Sequence, residues 1–454
     1  MKRYLVVSVL SLAAFAGPPA AAAPFSAEHL VRLQRVGAPS VSPDGNQVVY
    51  TLRTTDMQAS KGRFDLWLTG IDGKDTRQLT SHEANDTDPA WSPDGKHIYF
   101  LSSRNGSSQV WRIALDGGEA IPVTKLPVDV GTFRITPKGD GLVVSLQAYL
   151  DCEDIECIAI RDKAAAEAAT TGTVYDRLFM RHWDHWLSEK RSRLFAVSLE
   201  DGVAADSEPL LLGKDVDADV PSRVWGGNEE YAVSADGSTV YFAARIRDAV
   251  EPTSTNFDIY SAPMNGDGPA VNLTAANPAW DTAPVVSPDG KSLAYLAMRR
   301  AGFEADRFRI MIRDLESGKV RELAADWDRS PSSIHFSVDG SVLYANAQDV
   351  GNKTLWRIDV GGGDAVKMVR RGSVSAIDVG RDGVVFAKND LKSPSEIYAI
   401  ADGETTARQL THFSAPQLEG IGMGDYEQFS FTGAADDTVF GYVVKPTGFK
   451  KGRK

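Results

Sequence analysis

One short phrase returns along this chain and constrains its fold more than any other feature. It reads Ser or Thr, a variable residue, Asp or a substitute, then Gly, and an alternating apolar strand follows it. The copies are Ser42-Pro43-Asp44-Gly45, Ser92-Pro93-Asp94-Gly95, Thr136-Pro137-Lys138-Gly139, Ser234-Ala235-Asp236-Gly237, Ser287-Pro288-Asp289-Gly290 and Ser337-Val338-Asp339-Gly340, with a degenerate seventh at Gly380-Arg381-Asp382-Gly383. Their starts are separated by 50, 44, 98, 53, 50 and 43 residues. Pro in the second position pre-sets φ, Asp caps the turn through its side chain, and Gly takes a positive φ, so each phrase predicts a tight turn between two strands.

The segments after the turns repeat as well. His97-Ile98-Tyr99-Phe100-Leu101 is followed by Gln109-Val110-Trp111-Arg112-Ile113, and Ser292-Leu293-Ala294-Tyr295-Leu296 by Arg309-Ile310-Met311-Ile312. Several units close alike, on Gln78-Leu79-Thr80, Asn272-Leu273-Thr274 and Gln409-Leu410-Thr411. Four short strands per unit of about fifty residues, joined by Gly/Asp turns, predict an all-β chain, a seven-bladed β-propeller over residues 23–418. A β-solenoid would need a repeat nearer 20–30 residues. The evenly scattered 40 Gly and 22 Pro fit that turn-rich reading.

The 98-residue interval holds one blade (Gly141 to Ala148, Leu194 to Leu199, Leu210 to Leu212) plus about one repeat of extra chain. Ala-rich Arg161 to Thr170 favours helix. Tyr175, Leu178, Phe179, His182, Trp183 and Trp186 fall at three- and four-residue steps, an aromatic helical stripe. A helical hairpin inserted in the third blade, about 150–190, is therefore expected, placed where it could cover a central tunnel or contact another domain. At its root stand the only two cysteines, Cys152 and Cys157. In an oxidising compartment their even number and closeness favour one local disulfide over free thiols, and without supporting His they make a poor zinc site.

That compartment is set by the start of the chain. Lys2-Arg3, an apolar run from Tyr4 to Phe15, the Gly17-Pro18-Pro19 break and Ala20 to Ala23 have the layout of a secretory signal peptide, with cleavage expected after Ala22. The run is too short to span a bilayer, so a periplasmic or secreted protein without a membrane span is expected. With 49 Lys plus Arg against 61 Asp plus Glu, the net charge of −12 disfavours a nucleic-acid partner. Composition sets no oligomeric state.

Residues able to carry chemistry are few. No Gly-x-Ser-x-Gly elbow or His-Gly-Gly motif is present, so an intrinsic serine-hydrolase site is not expected, and no phosphate loop or dinucleotide fingerprint implies a cofactor. Arg181-His182-Trp183-Asp184-His185-Trp186 is the densest functional cluster. Its histidines, three apart on the expected helix, lack the Glu and third ligand of a zinc site, so no metal is assigned and docking of the insertion onto the propeller is the plainer role. Asp215-Val216-Asp217-Ala218-Asp219 opens like a calcium loop, but Val220 and Gly226 stand where Gly and Glu are required. Glu229-Glu230 could pair with a peptide's amino group, the plainer reading being solvated charges. Arg181, His182, Trp183, Glu229 and Glu230 are thus the candidate substrate-binding residues. Asp436-Asp437 predicts a hairpin turn between Phe429-Ser430-Phe431 and Val439 to Val444.

The blades, the Cys152/Cys157 insertion and Tyr175-Asp176-Arg177-Leu178-Phe179 running into Arg181-His182-Trp183-Asp184 resemble the prolyl oligopeptidase family of serine peptidases, in its dipeptidyl-peptidase 5 and acylaminoacyl-peptidase branch. The resemblance runs from about Phe25 to the last residue. It implies a propeller that restricts entry to an α/β-hydrolase domain carrying Ser, Asp and His, and release of dipeptides or acylated residues from peptide N-termini. The stretch 419–454, ending Gly441-Tyr442-Val443-Val444-Lys445-Pro446, resembles the lead-in strands of that domain, so the chain is expected to stop short of it, to carry no catalytic residue and to be inactive alone. The alternative is a stand-alone TolB-like periplasmic scaffold that binds other proteins.

Overall fold

A computed structural model describes residues 22–170, 172, 174–175, 181–223, 225–246 and 250–452. The expected signal peptide, apart from Ala22, and residues 176–180 of the aromatic stripe lie outside the described residues.

Antiparallel meanders of four strands follow one another along the chain. The first comprises Arg35–Val41, Gln47–Asp56, Lys61–Gly70 and Arg77–Gln78, and the second Asp86–Trp91, His97–Ser102, Gln109–Ala114 and Ile121–Pro122. The third holds Val130–Ile135, Gly141–Tyr149 and Lys190–Glu200, with Val203–Ala204 and Leu210–Leu211 at its edge. The fourth spans Tyr231–Val233, Thr239–Ala244, Asp258–Pro263 and Val271–Asn272, and the fifth Asp281–Val286, Ser292–Ala297, Arg309–Asp314 and Val320–Leu323. The meanders beginning at Pro331 and at Ser373 join into one eight-stranded sheet through a single parallel pairing, Lys353 with Ser373.

Packing follows from strand periodicity. The second strand of each meander is buried on both faces, so alternate side chains reach opposite neighbours. Ile98 and Phe100 pack with Val49 and Leu66 of the first sheet, whereas Tyr99 and Leu101 pack with Phe133 and Leu142 of the third. Similar clusters join each successive pair. A last one joins Val385, Ala387 and Ile397 back to Val48, Tyr50 and Leu52, closing a ring. Across that closure the Asp378 carboxylate accepts from Val41 N at 2.7 Å, and Arg408 donates to the Ile71 carbonyl at 2.7 Å.

The turn phrases form as the residues demand. In the second copy Ser92 Oγ donates to Asp94 at 2.6 Å and accepts from His97 N at 3.0 Å, while Asp94 also accepts from Lys96 N at 3.1 Å. The copies at Ser42, Ser234, Ser287 and Ser337 repeat this wiring. Gly95 sits at φ 70° and Gly290 at 71°, where a side chain is disfavoured. The seventh phrase differs: Gly380 pairs directly with Gly383, a two-residue hairpin. The closing threonines also recur, for Thr80, Thr274 and Thr411 accept from the backbone N–H of Leu66, Ile259 and Ile397 at 2.9–3.0 Å.

Two features of the insertion depart from expectation. Its helix is Ile155–Ala166 instead of Arg161–Thr170, because Asp154 caps it by accepting from Cys157 N and Ile155 and Ile158 bury against the third sheet. The second half is no helix where it is described: Arg181–His182 and His185–Trp186 pair as a hairpin, with Trp183 at φ 54° in its turn. Residues three apart face each other equally well across such a turn, so the aromatic spacing misled. Cys152 and Cys157 are joined in a disulfide, with Cα atoms 5.5 Å apart.

At the far end Tyr426–Thr432 and Thr438–Val444 form the expected hairpin, anchored by Asn352 donating to Tyr442 Oη at 3.0 Å and by the Lys392–Asp425 ion pair at 2.6 Å. Ile421–Gly422 pairs in parallel with Ala23–Pro24, so the start of the described chain is tied to the segment just before this hairpin.

Candidate functional site

A cleft of about 880 Å³ opens where the first strands of the fourth, fifth and sixth meanders begin. The insertion hairpin supplies His182 and Trp183, the loop before Tyr231 supplies Ser222, Arg223, Trp225, Glu229 and Glu230, and the segment after Ala244 supplies Arg245, Glu251 and Phe257. The structure therefore gathers four of the five candidate residues into one cavity. Arg181 is not among its lining; its guanidinium lies 5.8 Å from the ring of Trp186.

The two glutamates are not equivalent. Glu230 is 6% exposed, which corrects its reading as a solvated charge. Its Oε2 accepts from Ser222 N at 2.6 Å and its Oε1 from Ser222 Oγ at 2.7 Å, so it ties down the loop carrying Trp225. Burial pushes its carboxyl above the usual range, and the two bonds from Ser222 oppose that. Glu229 is exposed, and its Oε1 accepts from Gly227 N at 3.0 Å.

The walls are aromatic. Phe257 stacks on Trp280 with ring centres 4.9 Å apart, and Phe308 meets Trp280 edge-on at 5.7 Å. At the mouth Trp183 and Trp225 meet edge-on at 6.4 Å, each 75% exposed. Docking of the insertion through an aromatic face was the plainer expectation; Leu178 and Phe179 lie outside the described residues, and Trp183 and Trp186 are largely turned to solvent. Arg245 pairs with Glu251 at 3.6 Å and lies over the Phe257 ring, and Arg223 pairs with Asp219 at 3.4 Å. Asp219 in turn accepts from Ser192 N at 2.8 Å, which gives the acidic 215–219 stretch a structural role.

Four carboxylates (Glu229, Glu230, Glu251, Glu304) thus line the cleft against two guanidinium groups. With its indole edges, this surface suits an amine or another cation carried on an apolar body. Among the described residues no group of three or more His, Cys, Asp or Glu could hold a metal ion, and no helix is long and apolar enough to cross a membrane. Trp225, Arg245, Glu251, Phe257 and Trp280 escaped the sequence reading. The only signal was a Trp set between Arg223 and the Gly226-Gly227 pair, since the others stand in the segments that flank strands, outside the repeated phrases.

A family model described as TolB beta propeller domain matches residues 29–168. Dipeptidyl-peptidase 5 of Porphyromonas gingivalis is 27% identical over 430 residues, covering 94% of this chain and 61% of its own length. Dipeptidyl-peptidase 5 of Trichophyton schoenleinii is 27% identical over 454 residues, covering 94% and 62%. The chain therefore spans about three fifths of the length of these relatives. Among solved structures, an acylaminoacyl peptidase of Pyrococcus horikoshii superposes with a TM-score of 0.70 at 16% identity, over 94% of this chain and 60% of that one. The β-propeller domain of the trilobed protease of Pyrococcus furiosus gives 0.57 at 14% identity, over 84% of this chain and 99% of that one. These superpositions show a β-propeller fold.

Proposed function

We propose, on the premise that this chain is a homologue of dipeptidyl-peptidase 5 and of the acylaminoacyl peptidases of the prolyl oligopeptidase family, that it is the seven-bladed, substrate-gating propeller of an exported serine exopeptidase. The whole protein removes dipeptides or acylaminoacyl residues from peptide N-termini. A Ser-His-Asp set acts through an acyl-enzyme in the part of the relatives' length that this chain does not span. The observation that carries this reading is the match over 94% of the chain to a dipeptidyl peptidase, joined to an acidic, aromatic cleft at one end of the first strands. Within it Glu229 receives the peptide's amino group, while His182 and Trp183 border the entrance.

The test compares two preparations, the native protein from the periplasmic fraction of the source cell and the isolated 454-residue chain. Hydrolysis of dipeptidyl and acylaminoacyl chromogenic substrates is expected from the first only, with a mature N-terminus near residue 23. Turnover by the isolated chain would place the catalytic groups within it and defeat the proposal. A native protein of this chain's own size with no turnover would favour the second reading, a TolB-like scaffold that binds other proteins.

A further inference from the structure

An arginine outside the lining of the cleft bonds to the turn that carries Glu229. Arg134 stands on the first strand of the third meander, two residues before the Thr136 turn, yet its guanidinium crosses to the fourth. There Nε and Nη2 both donate to one acceptor, the carbonyl of Asn228, at 2.9 and 2.6 Å. Among the described residues it has no ion pair; it lies instead over the ring of Tyr231, 5.5 Å from the centre. Tyr231 is fully buried, and its hydroxyl shares a 3.0 Å hydrogen bond with Thr132 on the arginine's own strand. Two strands of neighbouring sheets are thus clasped through the face and the hydroxyl of one ring.

The acceptor's position gives the clasp its meaning. Asn228 opens the single helical turn Asn228–Glu230, so fixing its carbonyl fixes where the next two side chains point. Glu230 turns inward and is held by Ser222. Glu229 turns to the cleft, and the Arg134 charge and Glu229 attract one another. A lysine could make only one of the two bonds to the carbonyl, and a glutamine would bring no charge.

We infer that Arg134 is a positioning residue that holds the 228–230 turn so that Glu229, of the adjacent pair, presents its carboxylate to a ligand amine, Glu230 being committed to the loop. This deepens the reading given under Proposed function and rests on it for the identity of the ligand. The two glutamates then do different work: one binds, the other braces.

The test uses the 454-residue chain, titrated calorimetrically with glycyl-phenylalanine amide and with its N-acetyl counterpart. The wild type is expected to favour the free amine by about tenfold, the worth of one charge-assisted contact. Glu229→Gln and Arg134→Gln should each remove that preference, and Arg134→Lys should restore part of it. A merely structural arginine would weaken both ligands equally, and an unchanged preference in Arg134→Gln overturns the inference. Hydrogen exchange at Gly226, Gly227 and Glu230, whose amides are bonded within this loop, decides the clasp without any ligand. Exchange about tenfold faster in Arg134→Gln is expected, and unchanged exchange overturns the inference whatever the ligands do. If neither ligand binds the wild type while the exchange difference is present, the assignment of the cleft falls and Arg134 stands as the residue that holds the turn.

Discussion

The turn at Ser92 and the turn at Glu229 are reversals of similar size, built in opposite ways. Ser92 and Asp94 find all their side-chain partners within five residues. The Glu229 turn draws its partners from afar: Arg134 lies 94 residues from Asn228, and Ser222 lies eight from Glu230. A locally wired turn carries its own instructions and can be copied along a chain. One wired from elsewhere exists only once the sheets are in place, which is how a repeat fold can present a site at only one place on its ring.

The sharpest way to separate the two kinds of polar residue is pH. Asp236 and Asp339, exposed in their turns, have carboxyls lowered to about 2 by their serine hydrogen bonds. Their contribution is present above the usual carboxylate range and is lost as pH falls toward 2. Asp281, fully buried at the start of the fifth meander, has Asn277 as partner to one oxygen at 2.8 Å and none for the other. Burial raises its pKa from 3.8 to about 7, so the sign reverses: stability is present below about pH 4 and is lost as pH rises through 7. Asp281→Asn, a permanent mimic of the protonated form, should therefore exceed the wild type by roughly 4 kcal/mol at pH 8, the gap closing toward pH 4. Urea unfolding across that range measures it, and a pH-independent gap would show that ionisation of Asp281 is not the cause.

What could be read from the sequence follows the same division. The turn phrases, the strands after them and the hairpin around Asp436 were legible because their determinants lie within a few residues. The second half of the insertion was not. The Tyr175 to Trp186 spacing satisfies a helix and a hairpin alike, and only Arg181 opposite Trp186 with Trp183 in the turn decides between them. Glu229 and Glu230 were singled out, but their unequal roles depend on Ser222 and Arg134, which no local pattern connects to them. Trp225 and Phe257 enter the cleft because neighbouring sheets converge there.

The insertion also contains one locally determined part, and breaking it should stay local. The Cys152–Cys157 bridge closes a six-residue loop at the start of the helix Ile155–Ala166. By chain entropy a loop of that length contributes about 2 kcal/mol. Replacing both cysteines with alanine should raise amide exchange through this helix about thirtyfold while the sheets keep their protection. Loss of protection spread through the meanders would mean that the insertion is a structural part of the ring, not an appendage to it.

The smallest effect tests whether the turn phrase is a true module. In the third copy Lys138 occupies the Asp position, and the structure shows the substitute: Thr136 Oγ1 donates to Asp140 at 2.6 Å and accepts from Gly141 N at 3.0 Å. The carboxylate has moved two residues along while the hydroxyl keeps its place. Asp140→Ala should thus cost about 1 kcal/mol, and Lys138→Ala should stay within about 0.5 kcal/mol of the wild type. Adding Lys138→Asp to Asp140→Ala rebuilds the wiring of the other copies and should recover the loss, as read by thermal unfolding. Failure to recover would mean that the third turn is fitted to its insertion-bearing sheet and cannot be exchanged for its siblings. The boundary between locally and remotely wired turns would then run through the repeat itself.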